Sequence, residues 1–534
     1  MSFKINSLYL TDGYKPSHKA MLAPGTTKLY GTLIPRSLKH APKGITKIVS
    51  FYQQATWKRI HDEFEENFFF TELRGVGGYA AQKHKESLKS KALQFVKDMS
   101  LYLGMEYDGK HFEELWDLGY LPIKVKALPE GIETNPNIPH MTFVNTVDGF
   151  AWLTLYLETI VSNIFWKGAT AATIAKLYRR QAEKWVAKTD NQNMWLVDFM
   201  CHDFSARGLS GIDDIIAVGL GHATSFKGSD TLPVIPASRY FYGVKEDEMP
   251  IFSVNASEHS VSCTKIFTVG EQQMIADWLQ TFPKGILSIV ADTFDLWKLI
   301  TEYLPANKEA IMARDGKLVI RPDSGDPVDI ICGAWDEDRL PSGNYEKRPK
   351  SGPEGKGVIE LLWDIFGGTV NEQGYKVLDP HIGAIYGDSI TPERQRQIYE
   401  RLAAKGFAAT NIVLGVGSFT YQYNTRDTLG FAAKGAWFET KKWEEFDKDS
   451  LGNKRKLLNI KSYSIYKDPV TDDGTKKSLK GLLQVNYDDN MEIVCYTEQT
   501  PEQESQGLLQ VIYEDGRFYN QTTLEEIRKN LSSL

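Results

Sequence analysis

The sequence predicts an α/β protein: a parallel sheet or barrel from about residue 160 onward, preceded by a mixed α+β region. Two observations carry this. From residue 160 short apolar runs end in polar clusters and are mostly followed by helix-like segments, the βα rhythm of a parallel sheet. Before it, helical periodicity over Ala80 to Tyr102 sits beside the alternation Ile123-Lys124-Val125-Lys126-Ala127-Leu128, which suits a half-exposed strand. At 534 residues the chain has room for a barrel of about 250 residues and a second domain.

Four strand-end units are the clearest. Ile286 to Val290 leads into Asp292-Thr293-Phe294-Asp295, Leu318-Val319-Ile320 into Arg321-Pro322-Asp323-Ser324-Gly325, Ile382 to Tyr386 into Gly387-Asp388-Ser389, and Ile412-Val413-Leu414 into Gly415-Val416-Gly417-Ser418. Each polar cluster follows its strand's C-terminal end, where the loops of an α/β barrel converge on one mouth, so an enzyme is expected. Val358 to Phe366 and Pro392 to Lys405 have the apolar spacing and the Gly or Pro flanks of outer helices. Residues 336–357 are charged, Pro- and Gly-rich and poor in apolar side chains, which reads as a surface insertion or mobile loop. The tail from about 437 interleaves lysines with strand-like runs such as Leu482 to Tyr487, the pattern of a solvated charged face.

Composition narrows the function. With 42% hydrophobic and 25% charged residues the chain is globular rather than disordered. A net charge of −7 gives no long-range attraction to nucleic acid or anionic lipid, so any phosphate binding must be local. The cysteines Cys201, Cys263, Cys332 and Cys495 form no C-x-x-C pair, which argues against a disulfide scaffold or zinc ribbon and suits a reducing cytoplasm. The first residues lack the plan of a signal peptide, and the apolar stretch Phe150 to Trp166 contains Glu158, so a buried helix is expected there rather than a membrane span.

Several strand-end residues suggest chemistry. Arg321 offers a planar fork of donors matched to phosphate, and Asp323 or Asp326 can accept from ribose hydroxyls or hold Mg²⁺; together they point to a phosphorylated sugar, although a structural Arg–Asp pair gives the same letters. Gly417 and Ser418 can present backbone N–H groups to a phosphate, but Phe419-Thr420 removes the third glycine of a dinucleotide fingerprint and there is no P-loop. Arg426 and Lys434 are spaced to return to the same anion or to form exposed salt bridges. In Glu258-His259-Ser260, the imidazole can act as nucleophile or base, partnered by Asp295 or another strand-end acid rather than by adjacent Glu258. Phe204 with Arg207, and Asp230 in its Gly-Ser turn, read as a pocket for a flat ring or as a core aromatic and a turn cap.

These motifs, in order, resemble the nicotinamide phosphoribosyltransferases, a type II phosphoribosyltransferase family. The residues that carry the resemblance are Thr11-Asp12-Gly13-Tyr14-Lys15 with His18, His202-Asp203-Phe204, Arg207-Gly208, Phe226-Lys227-Gly228-Ser229-Asp230, Glu258-His259-Ser260, Ile320-Arg321-Pro322-Asp323-Ser324-Gly325, Gly387-Asp388 and Thr425-Arg426-Asp427. The resemblance implies an irregular α/β barrel, residues 161–434, packed against an α+β domain from residues 1–160 and 435–534 that contributes to a homodimer with shared active sites. It implies reaction of nicotinamide with phosphoribosyl pyrophosphate to give nicotinamide mononucleotide and pyrophosphate, with Mg²⁺ and ATP hydrolysis.

Carried over by motif, Phe204 and the partner subunit's Tyr14 sandwich the pyridine ring, and Asp230 accepts from the carboxamide. Arg207 and Arg321 hold phosphate or pyrophosphate; Asp323, Gly387 and Asp388 line the ribose site; Ser418 and Arg426 take the 5′-phosphate, and Pro322 and Gly417 are counted among the substrate-binding residues. His259 is phosphorylated by ATP with Asp295 orienting it. The metal ligands are not specified. The phosphate loop departs from the family's run of glycines, and Ala291 and Ala432 stand where serines are expected. The rival expectations are a nicotinate phosphoribosyltransferase of the same fold and a non-catalytic nucleotide- or phosphoribosyl pyrophosphate-binding protein.

Overall fold

Strand-forming runs from both ends of the chain and from its middle assemble into two separate seven-stranded sheets. The computed structural model describes residues 4–71, 79–339, 345–387, 389–448, 454–467, 470–471 and 479–532. Two compact units are present, one made of Met1–Thr173, Arg239–Gly243 and Thr425–Leu534, the other of Ile174–Ser238 and Val244–Asn424. Set beside the expected spans, the breaks fall after residues 173 and 424, and Arg239–Gly243 joins the terminal segments. Gln54 reaches the Phe241 carbonyl, and Phe51 stacks on Tyr242 at 5.5 Å.

The second unit holds an all-parallel sheet in the order Gly228–Ser229, Cys201–Asp203, Ile412–Val416, Ile382–Tyr386, Leu318–Arg321, Leu287–Val290, Asn255–Ala256. A parallel bridge from Gly228 to Phe252, just before the last of these, links the two ends of the order into an irregular barrel. Leu287–Val290 and Ile382–Tyr386 are buried along their whole length, which is why their sequences are continuous apolar runs rather than alternating ones. Outer helices Val358–Phe366 and Pro392–Ala404 occupy the expected places. Thr391 caps the latter through Arg394 N, with Pro392 in the first turn, a device that contributes about 1 kcal/mol.

Residues 336–357, expected as an insertion or loop, contain regular structure. Trp335–Arg339 pairs antiparallel with Tyr345–Pro349, and the short helix Pro353–Lys356 follows. Opposite charges face each other at two rungs, Asp336 with Arg348 and Glu337 with Lys347, whose Nζ lies 2.7 Å from Glu337 Oε1, so charged side chains here decorate a two-stranded ribbon.

The first unit's sheet is antiparallel throughout, ordered Lys454–Ser464, Phe431–Lys448, Thr26–Pro35, Met141–Asn145, Ile123–Ala127, Gln510–Glu514, Arg517–Phe518. Leu33, Val125 and Phe143 lie in its core, each contributing roughly 1.5–3 kcal/mol by burial. The helical stretch 80–102 is two helices, Tyr79–Ala92 and Gln94–Leu103, ended by Gly104 at φ 67°. The apolar stretch around Glu158 is helical, and the carboxylate is doubly paired, 2.6 Å from Lys15 and 2.7 Å from Lys434. Among the described residues no helix is long and apolar enough to cross a membrane.

Candidate active site

His259 and Asp292 meet at the C-terminal ends of neighbouring strands. His259 opens the helix His259–Val269, just past the Asn255–Ala256 strand. Its Nε2 lies 3.2 Å from Oδ1 of Asp292, which stands two residues beyond the Leu287–Val290 strand. Asp292 Oδ2 accepts from Asp323 N at 3.0 Å, Ser324 N at 2.7 Å and Ser324 Oγ at 2.5 Å. One carboxylate therefore clamps the loop after the Leu318–Arg321 strand and orients the imidazole. Burial pushes its pKa up, but the Ser324 hydroxyl, the Asp323 amide and His259 together hold it below the usual carboxylate range.

Asp295, the expected orienting residue, is engaged elsewhere: its carboxylate accepts from Lys298 N at 3.0 Å and caps the Leu296–Lys298 turn. An aspartate directly before a helical turn finds the turn's free amides first, whereas Asp292 is closer to the strand end. Asp326 likewise caps Pro327–Cys332 through Val328 N and Asp329 N, which accounts for it without a ligand.

The residues read as a ring pocket also come together. Asp230 Oδ1 receives His202 Nε2 at 2.9 Å and the Ser253 hydroxyl. Burial raises the Asp230 pKa, but the bonds from His202 and Ser253 and the charge of Arg321 lower it further, so it stays ionised. Its Oδ2 accepts no hydrogen bond among the described residues, and the side chain is 43% exposed. The Phe204 ring lies 4.7 Å from the His202 ring, and the Arg321 guanidinium 5.9 Å from the Phe204 centroid. Arg321 Nε is buried without a protein partner, a cationic donor left for something else to satisfy. Asp203 is fully buried and structural, accepting from Ser205 N, Ser205 Oγ and Thr231 Oγ1 at 2.6–2.9 Å, which ties the Phe204 loop to the Asp230 loop.

The residues expected to bind phosphate meet through glycines. A Cβ on Gly208 would fall 2.0 Å from Ser418 Oγ, so the exposed Arg207 turn touches the Gly417–Ser418 loop only because residue 208 lacks a side chain. Gly417 precedes the helix Ser418–Gln422 at φ −86°, a conformation open to any residue. A Cβ on Gly387 would fall 2.3 Å from Asp323 Oδ1 and 3.3 Å from Arg321 Nε, and Gly387 N donates to Pro322 O at 3.1 Å. Arg321, Pro322, Asp323 and Gly387 thus form one rim. Asp388 lies outside the described residues.

Tyr14 and Arg426 belong to the first unit. Tyr14 is 61% exposed, its ring 5.3 Å from His18 and 5.5 Å from Lys15 Nζ. Partial burial and the charges of Asp12 and Glu158 raise its phenol while Arg426 acts the other way, which places Arg426 in its neighbourhood. Lys434 is bound to Glu158, the salt bridge that its spacing allowed. Sequence reasoning missed His202 and Ser253 as partners of Asp230. It also passed over Asp292, although Asp292 is the first acid past Val290 and position alone favoured it.

Titratable and cationic groups gathered at the C-terminal mouth of a parallel barrel define an enzyme-type site, and comparison with known proteins gives the class. Residues 199–457 match the nicotinate phosphoribosyltransferase (NAPRTase) family. The chain is similar to the nicotinamide phosphoribosyltransferase of Acinetobacter baylyi, 38% identical over 550 aligned positions that cover 100% of this chain and 98% of the relative. It is also similar to the nicotinamide phosphoribosyltransferase of Mycoplasma pneumoniae, 33% identical and covering 80% of this chain and 89% of the relative. The chain belongs to this phosphoribosyltransferase family. The crystal structure of human nicotinic acid phosphoribosyltransferase shares the fold at a TM-score of 0.52 and 14% identity, covering 98% of this chain and 93% of that one.

Proposed function

We propose that the chain transfers the 5-phosphoribosyl group from phosphoribosyl pyrophosphate to nicotinamide, giving nicotinamide mononucleotide and pyrophosphate, as a cytoplasmic step of NAD salvage. The observation that carries the choice of acceptor is Asp230: ionised, braced on one oxygen by His202 and Ser253, and open on the other beside the Phe204 ring. A carboxamide N–H donated to that oxygen contributes roughly 1.5–3 kcal/mol, and stacking on Phe204 roughly 0.5–1.5 kcal/mol. Nicotinate would set its own carboxylate against Asp230 and be repelled.

Displacement of pyrophosphate from the anomeric carbon builds positive charge on the ribose and negative charge on the departing oxygens. The pyridine nitrogen attacks with its own lone pair and needs no base. Arg321, with its unpartnered Nε, and Arg207 hold the leaving group. Asp323 and the rim at Gly387 and Asp388 hold the ribose. Gly417 and Ser418, with Arg426, take the 5′-phosphate, and the partner subunit's Tyr14 closes the ring pocket in a homodimer.

Among the described residues no group of three or more acids, histidines or cysteines gathers for a metal. Mg²⁺ would be held by one or two carboxylates together with substrate oxygens, and Asp323 would supply such a carboxylate. When bound, the ion would supply positive charge to the departing pyrophosphate.

ATP couples through His259. With Nε2–H donated to Asp292 Oδ1, Nδ1 keeps the lone pair and takes the terminal phosphoryl group as ADP leaves; water later releases phosphate. The test is mononucleotide synthesis from phosphoribosyl pyrophosphate and Mg²⁺ with nicotinamide or nicotinate, each with and without ATP. Turnover confined to nicotinamide and stimulated by ATP is expected. Turnover of nicotinate alone overturns the base pocket, and turnover of neither favours a binding protein.

A further inference from the structure

The helix Ser418–Gln422, which begins at the phosphate loop, is fixed in the interior by a chain of buried hydrogen bonds. Tyr421 is 1% exposed and His222 is fully buried. Tyr421 Oη lies 2.9 Å from His222 Nδ1, and His222 Nε2 lies 3.2 Å from the Gly228 carbonyl oxygen. A carbonyl only accepts, so Nε2 carries the imidazole proton, Nδ1 keeps its lone pair, and Tyr421 is the donor at the other end. Burial lowers the His222 pKa, consistent with a neutral ring. Both bonds then have one direction and no spare proton.

The chain of contacts joins the two ends of the substrate site. Gly228 pairs with His202 in the sheet and stands two residues before Asp230. Tyr421 is three residues past Ser418. The helix has another buried anchor, the Tyr178 hydroxyl, which lies 3.1 Å from Thr420 Oγ1 and donates to Ile390 O at 2.7 Å. That anchor runs toward the loop after Ile382–Tyr386, away from the Asp230 strand.

We propose that His222 and Tyr421 are positioning residues that hold the Gly417–Ser418 loop in register with Asp230, fixing the separation between the 5′-phosphate and the base. The proposal rests on the phosphoribosyl-transfer reading above. Both side chains are buried, so they act through the loop and the strand rather than on substrate.

Steady-state kinetics of the full-length protein test it, with the KM of each substrate measured separately and thermal unfolding measured in parallel. Tyr421→Phe, which removes one oxygen, is expected to raise KM for phosphoribosyl pyrophosphate about tenfold while KM for nicotinamide changes less than about twofold. His222→Leu is expected to reproduce that split. His222→Gln, which restores one acceptor and one donor, is expected to return KM for phosphoribosyl pyrophosphate to near the unmodified value. An unchanged KM for phosphoribosyl pyrophosphate in folded Tyr421→Phe overturns the proposal, as does an equal rise in both KM values. If His222→Leu does not fold, Tyr421→Phe and His222→Gln decide. Failure of the unmodified protein to turn over nicotinamide overturns the functional reading itself, and is seen before any variant is compared.

Discussion

His259 and Asp292 meet across neighbouring strands, imidazole Nε2 to carboxylate Oδ1 at 3.2 Å, while the other oxygen of that carboxylate holds the backbone of Asp323 and Ser324. A single buried carboxylate thus sets both the orientation of the imidazole and the position of the Asp323–Ser324 backbone. Loss of its charge disturbs both.

Asp292→Asn is therefore expected to lower ATP-stimulated mononucleotide synthesis by about 100-fold, within the range of losses at orienting and acid–base positions, and to raise KM for phosphoribosyl pyrophosphate. Asp295→Ala removes only a cap and is expected to cost about 1 kcal/mol of stability with ATP stimulation intact. Paired assays of mononucleotide formation and ATP hydrolysis compare the two. Equal loss of stimulation in both variants would return the orienting role to Asp295.

Asp230→Asn leaves an amide that no longer repels a carboxylate. The ratio of kcat/KM for nicotinate to that for nicotinamide is expected to rise by about 10- to 100-fold. Competition between the two acceptors, resolved by product chromatography, measures it. A ratio unmoved from that of the unmodified protein falsifies the pocket assignment.

Ser418 and Gly208 form a complementary pair, a side chain on one loop and none on the other. Gly208→Ala places a Cβ 2.0 Å from Ser418 Oγ and forces the loops apart. KM for phosphoribosyl pyrophosphate is expected to rise about tenfold or more, and adding Ser418→Gly is expected to recover most of the loss. A double variant no better than Gly208→Ala alone would show that the contact does not set the loop.

Glu130 gives a pH signature in stability. Its carboxyl is buried and accepts from Gln54 N at 2.7 Å and Tyr52 N at 3.2 Å, and burial, opposed by those bonds, raises its pKa from 4.5 to about 7. With the folded value above the unfolded one, the folded state keeps a proton that the unfolded chain has lost. Stability therefore falls as pH rises from about 4.5 to about 7, by up to roughly 1.4 kcal/mol per pH unit. Urea unfolding of the unmodified protein and Glu130→Gln across that window is expected to show the slope only in the former. Parallel curves would remove Glu130 as its source.

The parallel barrel was legible because its strands are continuous buried apolar runs that end in polar clusters, as at Leu287–Val290 and Ile382–Tyr386. The first unit's sheet was only partly legible: Ile123–Ala127 alternates, but its neighbours arrive from residues 141–145 and 510–514, and no local pattern records so distant a pairing. The ribbon at Trp335–Arg339 hid behind its charges, since strand alternation was sought in apolar residues. In the site, residue types pointed to His259, Asp230, Arg321 and Asp323. The choice between Asp292 and Asp295 depended on which acid the next helical turn would claim, a matter of three residues that composition does not register.

The antiparallel sheet has a consequence for synthesis. Thr26–Pro35 pairs with Phe431–Lys448, so one side of an early strand stays open until some four hundred further residues have been translated. At roughly 5–20 residues per second that wait lasts tens of seconds. Most of it is spent making the segment from which the barrel folds. On the ribosome the middle of the chain can settle before its beginning does, and the nascent protein carries a naked ladder of N–H and C=O groups meanwhile. Destabilising the late strand at 431–448 is therefore expected to reduce soluble protein more than the loss of equilibrium stability alone implies.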